Sequence, residues 1–259
     1  MTKEFDVEDA FNETRSILKL SGDRLYGLLN NAGIISYGGV EFGDFEAHFQ
    51  RMMEINVLGI VRVTRKFLPL IRESKGRVVV ISSLASRLIG KNATSYSCSK
   101  FAARAFAEGL GSEMRRFGVK VIDIEPTYAN TSLIDLDTIL NGARKTIAAT
   151  SQSVLNDYGK EYQADLELQL RFLEQCDFVW QKARTKKRVV GTIVTAFLST
   201  DPCARYLVLS PVMALLVFVA DFLPEDWYLP FIRKNEEFTL SLFKKFARSS
   251  PPSSSISAV

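Results

Sequence analysis

From residue 7 to Pro126, short apolar runs alternate with segments whose apolar positions recur at helical spacing. Residues 7–20 place Phe11, Ile17, Leu18 and Leu20 among polar neighbours, with acids early and Lys19 late, and predict a helix whose charges suit its dipole. Leu25 to Leu29 predicts a short buried strand running into Asn30-Asn31-Ala32-Gly33. Phe45 to Leu70, with Phe49, Met53, Ile55, Val57, Ile60, Val61 and Val63, predicts a second helix that stops near Pro69 and Gly76. Val78 to Ile81 is continuous and β-branched, as in a strand buried on both faces of a parallel sheet. Thr94 to Phe117 is an Ala-rich helical stretch closed by Gly118, and Val119 to Ile124 is a further apolar strand closed by Pro126. Strand and helix in this alternation predict an α/β fold with a doubly wound, Rossmann-like parallel sheet. Residues 132–188 mix polar and apolar positions and predict helix in parts. Val189 to Leu198 reads as one more helix and Tyr206 to Val208 as a last strand. We expect one domain over 1–248 and a disordered tail over 249–259, SSPPSSSISAV.

Composition narrows the function classes. A 47% hydrophobic chain of 259 residues folds, and a net charge of +4 without a basic stripe argues against nucleic acid. Cys98, Cys176 and Cys203 form no CxxC pair, so a reducing, intracellular setting is expected. His48 is the single histidine; it excludes His-based metal clusters and reads as a surface or helix residue. The N-terminus is charged from residue 3 and predicts no signal peptide. Lys182 to Arg188 reads as a solvated helix end, with anionic lipid headgroups as the functional alternative. Tyr206 to Ala220 carries no charge but spans only 15 residues, short for a membrane crossing. With Phe222, Trp227, Tyr228, Phe231 and Ile232 after it, the 206–232 segment could be a substrate-side flap, an element in a membrane interface, or core.

The chemistry lies between Ser83 and Lys100. Ser83 stands just beyond a buried strand, on the rim where open α/β sheets bind ligands. Tyr96 and Lys100, four apart, share a helix face. An ammonium beside a phenol favours the phenolate, so Tyr96 is expected to have a lowered pKa and to act as general acid or base for an alcohol and carbonyl pair. The bland reading is a solvated Tyr/Lys pair and a serine that only caps backbone.

Asn30-Asn31-Ala32-Gly33, Asn56, Ser83 and Tyr96/Lys100, in this order, resemble the short-chain dehydrogenase/reductase family. VVGTIVTAFLSTDPCARYLVLSP and FLPEDWY are similar to its retinol, 17β-hydroxysteroid and 3-hydroxybutyrate dehydrogenase branch. The resemblance implies an oxidoreductase that uses NAD or NADP on an apolar substrate of retinoid or steroid type. It implies catalytic roles for Tyr96, Lys100, Ser83 and Asn56. It also implies cofactor contacts from Asp6, Val7, Asn30, Ala32, Gly33 and Thr131, with Leu133, Ile134, Leu136, Phe172, Phe178 and Trp180 in the lid. Association with the endoplasmic reticulum membrane, or otherwise a cytoplasmic place, is the localisation it suggests.

The chain departs from that family in two ways. No TGxxxGxG turn is present, so the first strands and the pyrophosphate site are expected to be lacking, and the choice between NAD and NADP is unreadable. The strand at Leu25 to Leu29 would then form an exposed apolar edge. Pro126-Thr127 stands where the family usually has Pro-Gly, and the threonine side chain could crowd a nicotinamide. A competing reading is a noncatalytic chain that cannot hold a dinucleotide and pairs, as a homo-oligomer or with a full-length homologue, through the helices at Phe45 to Leu70 and Thr94 to Phe117.

Overall fold

The computed structural model describes residues 3–127, 136–159, 161–175, 182–222, 224 and 227. In chain order the elements are α1 (Glu4–Ser21), β1 (Gly27–Asn30), α2 (residues 46–74), β2 (Arg77–Ile81), α3 (Thr94–Met114), β3 (Lys120–Pro126), α4 (Leu136–Ala148), α5 (Gln152–Tyr158), α6 (Glu161–Gln175), α7 (Lys182–Leu198), β4 (Arg205–Val208) and α8 (Pro211–Phe222). The four strands among the described residues form one parallel sheet in the order β1-β2-β3-β4. β2 lies inside and every one of its residues is buried, as its unbroken β-branched run demands. β1 is the sheet's edge, and Leu29 upon it is exposed.

Helices cover both faces. On one, Ile60 and Ile71 of α2 and Ala103, Ala107, Leu110 and Met114 of α3 pack against Val78, Val80 and Val121. On the other, Ala196 of α7 packs against Val79, Ile81, Ile122, Ile124 and Val208. α1 lies on α2 through the edge-to-face pair Phe11–Phe67 at 5.5 Å and the ion pair Lys66–Glu8. A second core joins Tyr37 and Phe42, in the connection after β1, to Leu140, Ala143 and Ile147 of α4 and Leu166 and Leu170 of α6.

Several boundaries differ from the sequence pattern. α2 does not stop at Pro69 but runs through it to Ser74. The missing N–H of a proline costs a helix interior about 3 kcal/mol, and burial of Ile60, Thr64, Phe67 and Ile71 on one stripe outweighs it. The run from Lys182 is a helix end, with Lys186, Lys187 and Arg188 exposed, but it is the N-terminal end of α7, which begins before Val189, and Arg188 donates to the Leu209 carbonyl at 2.6 Å. His48 lies on a helix, as expected, but not at the surface: it is buried, with Nδ1 2.8 Å from Ser36 Oγ.

Two tests follow from this packing. The turn into β2 puts Lys75 in the left-handed region, φ 51°, while Gly76 answers a different need: a Cβ on it would overlap the Tyr26 carbonyl oxygen. Gly76→Ala should destabilise by about 1–3 kcal/mol through overpacking, whereas Gly90→Ala, which meets open space, should leave the denaturation midpoint nearly unchanged. Burial lowers the pKa of His48 below its ordinary 6.5, so the unfolded chain takes up that proton first as pH falls. Stability should therefore drop below about pH 6.5, and His48→Gln should show a shallower loss of thermal midpoint between about pH 7 and 5.

Candidate active site

The site forms where β1 and β2 end. In a parallel strand the N–H and carbonyl of one residue point to the same side, and here Ser82 N–H reaches Ile124 of β3 at 3.0 Å. The Ile81 carbonyl accordingly faces β1, whose pairing stops at Asn30 opposite Val80. That carbonyl accepts a hydrogen bond from Lys100 Nζ at 3.0 Å. Lys100 is buried in the first turns of α3, its ammonium 5.7 Å from the Tyr96 ring centroid. The expected i, i+4 pair is therefore real and turned inward, not solvated.

Burial raises the Tyr96 phenol pKa above its ordinary value, with the Ser83 hydroxyl pulling in the opposite direction. This corrects the expectation of a lowered pKa: loss of water around the phenol outweighs the hydrogen bond with Ser83. Lys100 itself is lowered to about 8 by burial, with the charge on Asp123 opposing. At neutral pH the pair thus consists of a phenol and an ammonium. Ser83 faces Tyr96 and also caps the 3-10 turn Leu84–Ser86, its Oγ accepting from Ala85 N at 3.1 Å. The capping role of this serine is therefore present, and its side chain also lies beside the Tyr96 phenol.

Asn56 is completely buried, within a π-helical turn of α2, Glu54–Leu58. Its Oδ1 accepts from Ile34 N at 2.8 Å, while Nδ2 lies 2.9 Å from Ile34 O, 2.9 Å from Ser99 Oγ and 3.1 Å from Met52 Sδ. Ser99 in turn donates to the Tyr96 carbonyl at 2.7 Å. Asn56 thereby ties the chain after Gly33 to the helix that carries Tyr96. Ser99 escaped the sequence reading; its place three residues after Tyr96, on the helix face turned toward α2, was the available signal.

Gly33 belongs to the same cluster. A Cβ there would lie 3.2 Å from Asn56 Oδ1 and 3.6 Å from Lys100 Nζ, so only glycine leaves this approach open. Asn30 is buried, donates to Thr64 Oγ1 at 2.9 Å and has no partner for Oδ1 among the described residues. Ala32 is exposed. Asp6 and Val7 lie in the first turn of α1, Asp6 exposed and Val7 buried, on a helix whose main packing partner is α2. Thr131, Leu133, Ile134, Phe178 and Trp180 lie outside the described residues, as do the side chains of Leu136 and Phe172. Thr127 is buried and its hydroxyl has no partner among the described residues.

The residues fit the nicotinamide-ribose end of a dinucleotide. An ammonium has three N–H groups, and Lys100 directs one at Ile81 beside an open glycine surface. A cavity of about 170 Å³ lies beyond this point, between Ile34–Tyr37 and Thr138, Ile139 and Gly142 of α4. Among the described residues no helix is long and apolar enough to cross a membrane, and no cluster of His, Cys, Asp and Glu could hold a metal.

Comparison with known proteins agrees with this geometry. The chain is 42% identical over 159 residues to rat (Rattus norvegicus) mitochondrial D-beta-hydroxybutyrate dehydrogenase, 61% of this chain and 46% of that protein. It is 35% identical over 151 residues to bovine (Bos taurus) 17-beta-hydroxysteroid dehydrogenase type 6, 58% of this chain and 47% of the other. The chain thus spans about half the length of the curated relatives it matches. A short-chain dehydrogenase from Streptomyces avermitilis superposes with a TM-score of 0.61 at 23% identity, covering 96% of this chain and 78% of that one, a likeness of fold. Residues 1–138 match the short chain dehydrogenase family model, and with this sheet and these relatives the chain belongs to the short-chain dehydrogenase family, on the branch of hydroxybutyrate and hydroxysteroid dehydrogenases.

Proposed function

We propose that the chain is an oxidoreductase that interconverts an alcohol and a carbonyl on an apolar small molecule of retinoid or steroid type, with NAD or NADP. The observation that carries this reading is the convergence of Ser83, Tyr96 and Lys100 at the end of β2, with the phenol protonated at neutral pH. A bound nicotinamide supplies the hydride in one direction and accepts it in the other. Ser83 holds the substrate oxygen, and Tyr96 gives its proton to that oxygen as it becomes an alkoxide. In the reverse direction Tyr96 starts as the phenolate, which the ammonium of Lys100 stabilises, and takes the hydroxyl proton to become the phenol. Lys100 and the backbone at Gly33 hold the ribose, while Asn56 fixes the spacing between Gly33 and α3. The apolar walls given by Ile34, Ile35, Tyr37 and Ile139 favour an apolar substrate.

Two further features bear on partners. Leu215, Phe218, Val219 and Phe222 of α8 are exposed, as is Trp227, while Met213 and Val217 face the core. This apolar face supports contact with a membrane surface. Leu58 of α2 and Phe101 of α3 are exposed apolar residues on the two helices through which the noncatalytic reading would pair the chain with a copy or a longer homologue.

The first test is fluorescence titration of the purified chain with NADH and NADPH. Saturable binding that weakens as pH rises through about 8, where Lys100 loses its proton, is expected. A Tyr96→Phe variant should bind comparably but lose about 10²–10⁴ in turnover on a steroid or retinoid carbonyl. A folded chain that binds neither nucleotide would sink the enzymatic reading and leave pairing. For the second feature, sedimentation with anionic vesicles should pull down the chain, and Phe218→Ser with Phe222→Ser should remove most of the bound fraction. Equal binding by both proteins would rule out α8 as the contact.

A further inference from the structure

Asp123 is a buried carboxylate that the chemistry above leaves unused. It stands on β3 opposite Val80, and strand alternation places it with Val121 and Glu125 on the face covered by α3. It is 3% exposed, and neither carboxylate oxygen makes a hydrogen bond of ordinary geometry. Its polar neighbours are Ser82 and Glu125. A charge in that position is costly to keep, because protein replaces water without supplying donors.

Glu125, two residues on and equally buried, is treated differently. It is ion-paired with Arg87, lies 3.0 Å from Arg205 Nε and has Arg104 at 3.7 Å. Guanidinium groups from three elements therefore converge on one carboxylate, and Arg87 reaches onward to Asp221 of α8 at 2.9 Å. Of the charged groups, Glu125 on its own strand and Arg205 on β4 act on Asp123, and the Asp123 charge in turn acts on Lys100 of α3. Of the cations, Lys100 makes no ion pair of its own among the described residues, and its ammonium is tied to Ile81, the residue after Asp123's partner Val80.

We propose that Asp123 is the counter-ion of Lys100, a positioning residue that keeps the ammonium charged inside the sheet so that it can serve the ribose and the phenolate. The proposal rests on the role given to Lys100 above. The electrostatics run the same way: the Asp123 charge raises the Lys100 pKa against burial. Burial lifts Asp123 itself to about 6, so the folded chain gives up stability as pH rises from about 4 to above 6 and the carboxylate ionises.

The test reads Lys100 without cofactor or turnover. The full chain is labelled with 13Cε-lysine, and the Lys100 signal is identified by its loss in Lys100→Met. Its titration midpoint, near 8 in the parent, should fall by about one pH unit or more in Asp123→Asn. The exposed control Asp201→Asn should leave it in place. Asp123→Asn should also melt no lower than the parent at pH 7 and gain relative to it between about pH 4 and 7. An unmoved Lys100 midpoint in folded Asp123→Asn overturns the proposal. Failure of both Asp123→Asn and Asp123→Ser to fold overturns it as well, since a carboxylate without hydrogen bonds would then be holding the fold. A shifted midpoint in a chain that binds no nucleotide would keep the counter-ion and discard the cofactor reading.

Discussion

One buried ammonium sets the terms for the rest of the site. Lys100 lies where the sheet changes from paired to unpaired backbone, and its acceptor among the described residues is the Ile81 carbonyl that β1 leaves free by ending at Asn30. Had β1 paired one residue further, that carbonyl would have been occupied and the ammonium would have had no polar anchor. A cation in this place is tolerable only with a fixed dipole, a counter-charge, or both. The length of a four-residue edge strand therefore bears on the chemistry at a helix two elements away.

A buried amide helps to hold the two walls of the site together. Asn56 grips both backbone groups of Ile34 and reaches Ser99, so the connection after β1 and the opening of α3 cannot move independently. Asn56 sits where α2 departs from regular winding at Glu54–Leu58, a π turn of the kind often found at functional positions. Gly33 completes the arrangement by having no side chain to press on either Asn56 or Lys100.

How far this was legible in the sequence depends on the range of the interactions involved. β2 and β3 were readable because burial on both faces imposes unbroken apolar runs, and α3 because alanines and a closing glycine mark it. Tyr96, Lys100, Ser83 and Asn56 were singled out by type, spacing and family resemblance, and the structure brings them to one place. What spacing could not give was the sign of the Tyr96 shift, which depends on how much water the fold removes. Nor could it give the passage of α2 through Pro69, decided by a buried stripe of which Ile71 is the far end. His48 pointed inward because Ser36, twelve residues earlier, offers it a partner. Asp123 and Glu125 were hidden inside a strand read as simply apolar. Their alternation with Ile122 and Ile124 held the information that one face of β3 carries charge, but only the arrangement of Arg87, Arg104, Arg205 and Lys100 above that face gives it meaning.

For the proposed reaction, the protonation states at the end of β2 would impose a direction. Burial pushes Tyr96 toward the phenol and Lys100 toward the free amine, each toward its neutral form. At neutral pH, however, a lysine at about 8 is still mostly an ammonium, so the pair holds both of its protons. Giving a proton to a developing alkoxide needs no prior step, whereas taking one from an alcohol needs the phenolate. Raising the pH to form that phenolate also discharges the ammonium that stabilises it. The window for oxidation is therefore bounded on its alkaline side by Lys100, and a negative charge behind the lysine widens it. A buried carboxylate in β3 thus makes physical sense as a charge placed to hold a proton on its neighbour.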